Sequence, residues 1–245
     1  MPAYNAQQTI KASIDSVLAQ TYSDWELIII DDASKDGTIK AIEEIKLISG
    51  EQRITLLSNE KNAGAAQSRN LGISHARGGF LAFLDADDLW HKSKLEKQIS
   101  FMEETSADIS YTATAYMNES GDMYNYILQA QKKLTYERLL KSNLMSCSSV
   151  MIRRDMMLPF PDGNMHEDYA VWLQVVRKVG HAYGLSEPLL TYRVAKGTKS
   201  SKRISSAKMI YNSYCYVGYG KFAAGRLTLG YSVHSIIKRL AQKLY

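Results

Sequence analysis

The fold follows from one stretch, Phe80-Leu81-Ala82-Phe83-Leu84-Asp85-Ala86-Asp87-Asp88-Leu89-Trp90. Its apolar half is long enough for one buried strand, and it ends abruptly in three carboxylates. Because burying a charge is costly unless the charge is paired or holds a metal, these acids are expected where the strand leaves the core. Ligands of open α/β sheets bind at the carboxyl ends of the strands. The stretch therefore predicts a ligand site at the end of a buried strand.

Asp85 and Asp87 are two residues apart, so both side chains point the same way from an extended backbone. Two carboxylates on one side suit Mg2+ or Mn2+, which take oxygen ligands and bind molecules that carry phosphates. An isolated Asp-x-Asp is equally consistent with a solvated, Asp-rich turn after a strand. The choice between these interpretations depends on the other motifs of the chain.

The composition is typical of one large α/β domain with an attached segment. The chain has 245 residues, of which 45% are hydrophobic and 22% are charged. It has no run of about 18 apolar residues and no signal-peptide pattern, and its two cysteines lack metal-type spacing, so a cytoplasmic location is expected. The formal net charge of +5 suits an anionic substrate or an anionic membrane face. That charge is too small to indicate nucleic acid, and no such partner is expected.

Apolar runs alternate with stretches of helical periodicity along the first part of the chain. Strands are predicted at 25–30, 53–57 and 80–84. Helices are predicted at 10–18, 39–45 and 62–75. The alternation predicts an α/β fold with a doubly wound, mostly parallel sheet flanked by helices. We expect two halves of one domain, at 1–105 and at 106–205, followed by a basic helical tail at 206–245.

Polar residues stand at three predicted strand ends: Tyr4-Asn5, Asp31-Asp32 and Asp85-Ala86-Asp87-Asp88. In a fold of this kind Tyr4 should follow a strand that the chain has no residues to build, so the first strand is expected to be truncated. The three ends should converge along one edge of the sheet. No glycine-rich phosphate motif occurs, so a divalent cation at Asp85 and Asp87 is the natural way to neutralise a diphosphate.

Several segments, in this order, resemble the family 2 inverting glycosyltransferases of the GT-A fold. They are Pro2-Ala3-Tyr4-Asn5, Ile30-Asp31-Asp32-Ala33-Ser34-Lys35-Asp36-Gly37-Thr38, Asn62-Ala63-Gly64, Ser68-Arg69-Asn70 and Asp85-Ala86-Asp87-Asp88-Leu89-Trp90. His166-Glu167-Asp168 and Tyr192-Arg193 resemble the family's acidic catalytic pair and its late loop. The resemblance covers about residues 1–205 and is to bacterial enzymes that build capsule, O-antigen or exopolysaccharide.

The resemblance implies that 1–105 is the nucleotide-sugar-binding half of the domain and that 106–205 is its acceptor-binding and catalytic half. It also implies a nucleotide-sugar donor, a UDP-hexose or UDP-N-acetylhexosamine. Pro2, Ala3 and Tyr4 would hold the nucleobase and ribose. Asp32, with Asp31, would read the edge of uracil. The two aspartates are also consistent with acids that simply favour the start of a helix.

The resemblance further implies a metal-bridged diphosphate. Asp87 would ligate Mn2+ or Mg2+, and Asp85 would contribute to the metal site and meet the ribose or the adjacent sugar. Asp88 would support the metal site. Arg69 would lie near the base or the diphosphate, or would only pair with a carboxylate at the sheet edge. Arg193 would belong to the donor site and precede a loop at 195–203 that either closes over the diphosphate or is merely solvated.

Asp168 would act as the general base of an inverting transfer. One carboxylate must take the acceptor hydroxyl proton as that oxygen attacks the anomeric carbon from the far face. Glu167 is adjacent, and the sequence does not fix which of the two acts, although Asp168 is favoured. The implied acceptor is a saccharide or a polyprenyl-linked saccharide. Segments 117–131, expected to be irregular, and 159–166 would shape the acceptor site.

The tail carries an apolar stripe of Val233, Ile237, Leu240 and Leu244. The stripe is consistent with an ordinary helix docked on the body, or with a helix that rests on an anionic membrane. A different alternative concerns activity: because the first strand is short, the protein is also consistent with a catalytically degenerate, nucleotide-binding partner in a polysaccharide-assembly complex.

Overall fold

The structure is a computed structural model that describes the backbone of residues 1–194 and 203–242, and the side chains of residues 1–194 and 206–235. The strands are β1 Pro2–Ala3, β2 Leu27–Asp31, β3 Ile54–Ser58, β4 Phe80–Ala82, β5 Leu89–Trp90, β6 Ile109–Met117, β7 Met123–Leu128, β8 Lys133–Thr135, β9 Val150–Arg153 and β10 His181–Arg193. The helices are α1 Ile10–Leu18, α2 Thr38–Ser49, α3 Gly64–His75, α4 Lys94–Glu104, α5 Tyr136–Leu139, α6 Glu167–Val179, α7 Arg203–Tyr216 and α8 Lys221–Gln242.

The amino-terminal strands form a parallel sheet in the order β1-β2-β3. Ile29 on β2 is fully buried and shares one apolar cluster with Ile10 and Ile14 of α1 and Ile42 of α2. These residues recur at helical spacing on α1 and in a continuous run on β2, which is the pattern that buries a parallel strand. The sheet therefore holds the ends of β1 and β2 at one rigid edge.

The remaining strands form a seven-stranded sheet of order β4-β9-β6-β10-β5, with β7 beside β6 and β8 beside β10. Among the strand pairs described in this second sheet, only β6–β10 is parallel. Helix α6 buries Trp172 completely, and that ring contacts Phe83 at 5.8 Å and Phe160 at 5.8 Å between centroids. This second core fixes α6 against the strand that precedes Asp85.

The α/β prediction and the predicted strands near 25–30, 53–57 and 80–84 are confirmed. The strands differ from the prediction in forming two sheets. Strand β1 spans only Pro2 and Ala3, and both pair with β2, at Ile30 and Asp31. Strand β4 instead pairs with β9 in the antiparallel direction. The pairing described for the two-residue β1 is with β2 alone, so no described ladder joins β4 to the parallel sheet.

The prediction of an irregular segment at 117–131 is wrong, because β7 lies within it and forms an antiparallel hairpin with β6. Tyr126 of β7 contacts Tyr116 of β6, with ring centroids 5.6 Å apart. The strand is an exposed edge with a register irregularity after Ala115, so it lacks the alternating apolar pattern of a half-buried strand.

The tail forms two helices, α7 and α8, and α8 begins at Lys221. Val233 of the predicted stripe is exposed, whereas the side chains of Ile237, Leu240 and Leu244 lie outside the described part. Residues 195–202 of the predicted loop also lie outside it. None of the helices described is long and apolar enough to cross a membrane.

Candidate functional site

A cavity of about 530 Å3 lies where β1 and β2 end, beside the acidic turn that follows β4. It is lined by Asp87 and by every residue predicted to bind the donor except Asp31, namely Pro2, Ala3, Tyr4, Asp32, Arg69, Asp85 and Arg193. Tyr4 is half exposed, which leaves a ring face open to a planar ligand. The predicted convergence of the strand ends is confirmed, because residues from all three meet in one cavity.

The cavity has further lining residues. Asn5 and Ala86 stand in the motifs at predicted strand ends without an assigned role, whereas the sequence did not single out Ala6, Gln8, Thr9, Ala65 and Glu119. Asn5 connects two strand ends, since its backbone N–H donates to Ser34 Oγ at 3.0 Å and its Oδ1 accepts from Lys35 N at 2.8 Å. Its φ of 49° lies in the left-handed region, which Asn tolerates better than most residues. The signals for Asn5 in the sequence were this preference for sharp turns and its place at a predicted strand end.

Asp31 does not reach the cavity. Its side chain is fully buried, and Oδ2 accepts a hydrogen bond from Ser34 N at 3.0 Å. Its Oδ1 is buried without a hydrogen-bond partner within the described part of the chain. Asp31 therefore supports the turn after β2, and a role in reading a base stays a prediction.

Asp32 lines the cavity and also anchors the start of α3. It accepts hydrogen bonds from Ala63 N and Gly64 N, both at 2.8 Å, and from Asn59 Nδ2 at 2.7 Å. Burial by itself would raise the pKa of Asp32, but these hydrogen bonds outweigh it and lower the pKa. Asp32 therefore accepts hydrogen bonds at the start of α3 and not at the start of α2, the helix that follows it in the chain. A role of Asp32 in binding a nucleobase stays a prediction.

Arg69 joins the cavity to helix α6. Its Nη2 donates to Asp85 Oδ1 at 2.7 Å, and its Nη1 lies 3.5 Å from Glu167 Oε1. The Arg69 side chain is 6% exposed. Burial alone would lower its pKa, but Cys147, Asp85 and Glu167 raise the pKa above its ordinary value. Arg69 is thus a fixed positive charge between the predicted donor site and the predicted catalytic pair.

Asp87 is the acid with the least support from the protein. Its carboxylate has no hydrogen bond to another described residue, while Arg193 Nε donates to its backbone carbonyl at 2.9 Å. Burial and the neighbouring Asp85 raise the pKa of Asp87 to about 6. An added cation would relieve both effects.

Two neighbouring carboxylates match Mg2+ or Mn2+, which commonly take one or two protein carboxylates and complete their shell with water and phosphate oxygens. Asp85 and Asp87 supply such a pair. The Asp87 carboxylate has no hydrogen bond to another described residue, and Arg69 engages only one of the two Asp85 oxygens among the described contacts. Among the described residues no group of three or more potential ligands is assembled. The donor set therefore fits a cation shared with a phosphorylated ligand and not a complete protein cage.

Asp88 faces the interior and does not line the cavity. It accepts from Ser148 Oγ at 2.6 Å and from Arg193 N at 2.9 Å. The same Ser148 hydroxyl accepts from Asp85 N at 3.0 Å. Burial, Asp85 and Asp87 raise the pKa of Asp88 well above its ordinary value. Ser148, for which the sequence gave no functional signal, thus fixes both ends of the acidic turn.

We expect Ser148→Ala to lower the free energy of unfolding by about 2 kcal/mol, because the buried Asp88 carboxyl then loses a donor. Ser149→Ala is the matched control, since its buried hydroxyl donates only to the Ser146 carbonyl at 2.7 Å. The control should lose about 1 kcal/mol. Urea unfolding followed by circular dichroism measures both values, and equal losses would contradict the special role of Ser148.

Asp168 and Glu167 occupy the first turn of α6. Asp168 Oδ1 accepts from Tyr169 N at 2.7 Å, whereas its Oδ2 has no hydrogen bond within the described part. Burial and the adjacent Glu167 raise the pKa of Asp168 against the opposing effect of Arg69 and His166. Neither acid lines the 530 Å3 cavity, but Arg69 connects Glu167 to it. The arrangement provides a basic carboxylate beside the cavity, as proton abstraction needs.

Comparison with known proteins identifies the kind of protein that has this site. Residues 1–158 match the sequence model of the family described as Glycosyl transferase family 2. TuaG of Bacillus subtilis (strain 168), named as a teichuronic acid biosynthesis glycosyltransferase, is 36% identical over 237 residues, which cover 91% of this chain and 93% of TuaG. WfgD of Escherichia coli, named as a UDP-Glc:alpha-D-GlcNAc-diphosphoundecaprenol beta-1,3-glucosyltransferase, is 38% identical over 210 residues, which cover 85% of this chain and 81% of WfgD.

A solved structure shares the fold. The mannosyltransferase PcManGT from Pyrobaculum calidifontis, in complex with GDP-Man and Mn2+, matches with a TM-score of 0.69 and 17% identity, over 100% of this chain and 79% of PcManGT. At that identity the likeness shows the GT-A fold alone. The family model matches most of the chain, and the two relatives are 36% and 38% identical to it, so the comparison establishes the family as well as the fold. The chain belongs to glycosyl transferase family 2.

Proposed function

We propose that the protein transfers a hexosyl or N-acetylhexosaminyl group from a UDP-sugar, with inversion, to a polyprenyl-linked saccharide in the synthesis of a bacterial surface polysaccharide. One observation carries the proposal: a single cavity gathers Tyr4, Asp32, Asp87 and Arg193 together with an arginine that pairs with Glu167 of α6. The names of WfgD and TuaG support the donor, the lipid-linked acceptor and the polysaccharide pathway.

The amino-terminal part of the cavity holds the nucleoside. Tyr4 offers a half-exposed ring for stacking, and Pro2 and Ala3 form the adjoining floor. Arg193 also lines the cavity and donates to the Asp87 carbonyl at 2.9 Å and to the Glu119 carbonyl at 3.0 Å. Its charge favours a bound diphosphate.

Asp87 and Asp85 would hold Mn2+ or Mg2+ together with the diphosphate of the donor. At that position the ion would supply positive charge that stabilises the departing UDP. The Mn2+ in the PcManGT complex supports a divalent ion in this fold. Arg69 keeps Asp85 in place from the protein side.

Asp168 takes the proton of the acceptor hydroxyl as its oxygen attacks the anomeric carbon from the face opposite UDP. Glu167 is engaged by Arg69, whereas Oδ2 of Asp168 has no hydrogen bond within the described part. This difference favours Asp168 as the base and Glu167 as the residue that orients Arg69. Because burial raises the pKa of Asp168, its carboxylate is a stronger base than an exposed aspartate.

Titration calorimetry with UDP, GDP and dTDP, with and without Mn2+, tests the proposal. We expect wild type to bind UDP most tightly and only with Mn2+, and Asp87→Ala to weaken that binding at least about tenfold, as loss of one charge-assisted ligand implies. Asp15→Ala is the control, because this exposed carboxylate on α1 pairs, within the described part of the chain, with Lys11 alone. Its UDP affinity should equal that of wild type.

The outcomes separate the alternatives. Equal affinity of wild type and Asp87→Ala for UDP with Mn2+ would remove the metal site. Metal-dependent UDP binding without transfer or hydrolysis of any UDP-sugar would favour a catalytically degenerate nucleotide-binding partner in an assembly complex. Tighter binding of GDP than of UDP would overturn the proposed donor class.

A further inference from the structure

Helix α8 has one face that is docked on the body of the protein. Ala224 is fully buried, and Leu227 and Tyr231 pack against the larger apolar core. The Tyr231 ring lies 5.7 Å from that of Tyr169, and its hydroxyl accepts from Asn143 N at 3.3 Å. At about 100° per residue, these three positions fall on one side of the helix. The orientation of α8 is therefore fixed.

The opposite side of α8 is also apolar. Phe222 is 91% exposed, Leu229 is 68% exposed and Val233 is 49% exposed. These three residues, the α8 outer face, lie within a sector of about 40° that points away from the docked side. A surface helix ordinarily presents polar residues to solvent when its other face is packed. The α8 outer face is therefore expected to be a contact surface for another molecule.

The charges around this face indicate which kind of molecule it contacts. After Glu187 the sequence contains no Asp or Glu, while Lys and Arg recur as far as Lys243. Lys221 and Arg226 of α8 are both exposed. Tyr216, at the end of α7, is a further exposed aromatic side chain. Apolar and aromatic side chains flanked by cations, without acids, are typical of helices that lie in the interface of an anionic bilayer.

We propose that the α8 outer face docks on an anionic membrane surface. The docked side of the same helix contacts Tyr169, the residue after Asp168, so docking would bring the first turn of α6 close to the lipid. The lipid surface is where a polyprenyl-linked acceptor presents its sugar. This consequence rests on the proposed function, whereas membrane docking itself does not.

Vesicle flotation tests the docking. Vesicles of phosphatidylglycerol mixed with phosphatidylcholine should carry the full chain upward at low salt, and vesicles of phosphatidylcholine alone should carry much less of it. The double variant Phe222→Glu/Leu229→Glu should reduce the partition coefficient at least about tenfold for each substitution. The matched control is Leu47→Glu/Ile48→Glu on α2, whose side chains are 83% and 85% exposed. The control should float like wild type.

Three results would overturn the proposal. These are failure of wild type to bind the anionic vesicles, equal flotation of the α8 variant and wild type, and equal loss in the α2 control. Gel filtration tests self-association of the protein. If wild type were a dimer and the α8 variant a monomer, the α8 outer face would be a dimer interface and the proposal would be overturned. Mn2+-dependent UDP binding, measured on the α8 variant, shows that it is folded and distinguishes a failure of docking from a failure of the proposed function.

Discussion

Asp168→Asn is expected to lower the turnover number by a factor of about 10²–10⁴, which is the usual contribution of a positioned general base. The amide has nearly the same shape as the carboxylate and cannot accept the proton of the acceptor hydroxyl. Asp168 does not line the 530 Å3 cavity, so Mn2+-dependent UDP binding should be unchanged. Stopped assays of UDP release with a polyprenyl-linked acceptor, alongside calorimetry of UDP, separate these two effects.

The pH dependence gives this prediction a second readout. A general base works only when it is deprotonated, so the rate should fall as the pH drops through the pKa of Asp168. Because burial and Glu167 raise that pKa, the fall should begin at a higher pH than an ordinary aspartate would give. The residual rate of Asp168→Asn should lack this acidic fall.

Glu167→Gln is the control for Asp168→Asn, since it removes the neighbouring charge and keeps the shape. It should lower the rate less, and it should also lower the pKa seen in the rate profile, because one of the causes that raise the pKa of Asp168 is then gone. A larger loss in Glu167→Gln than in Asp168→Asn would reverse the two roles.

Much of the fold and of the donor cavity could be predicted because the signals are local. An apolar run that ends in acids marks both a strand and its polar end within a few residues, as in Leu27–Asp31 and in the stretch before Asp85. The parallel strands β1 and β2 bring their ends to one sheet edge without further information, and the end of β4 reaches the same cavity from the second sheet. Tyr4, Asp32 and Asp87 accordingly meet in the cavity as expected.

The remainder depends on contacts between distant parts of the chain. Ser148 holds Asp85 across 63 residues, and a serine before a strand has no pattern that distinguishes this role from ordinary polarity. Asp32 satisfies backbone donors at the start of α3 rather than α2, a choice made by packing. Strand β7 is an exposed edge, whose sequence is not constrained to alternate.

Arg69 was predicted from a local motif, but its contacts are with residues that are distant in the chain. The sequence left open whether it serves the donor or pairs with a carboxylate, and the structure shows that it lines the cavity and pairs with two. Its Nε is buried without a partner within the described residues, and its guanidinium lies 5.3 Å above the Phe160 ring. Arg69 is thus both part of the site and part of the packing that joins the two sheets.

Arg69→Met should therefore lower the free energy of unfolding by about 3 kcal/mol. Removing one partner of a buried ion pair usually costs about 3–5 kcal/mol, and water that reaches the remaining carboxylates keeps the loss at the lower end. Asp85 and Glu167 have side chains that are 31% and 22% exposed. Methionine has a similar length and keeps the contact with Phe160, so the loss reports the charge rather than a cavity. Urea unfolding measures the loss.

A double variant decides whether the loss comes from the unpaired acids. Arg69→Met/Glu167→Gln should be more stable than Arg69→Met alone, because the mutual repulsion of Asp85 and Glu167 across the empty position is removed. Arg69→Lys should retain more stability than Arg69→Met, although a single ammonium group cannot reach both acids as the guanidinium does. If Arg69→Met were as stable as wild type, the guanidinium would serve ligands alone, and the link between the donor cavity and α6 would have to be carried by packing of Phe160 against Trp172.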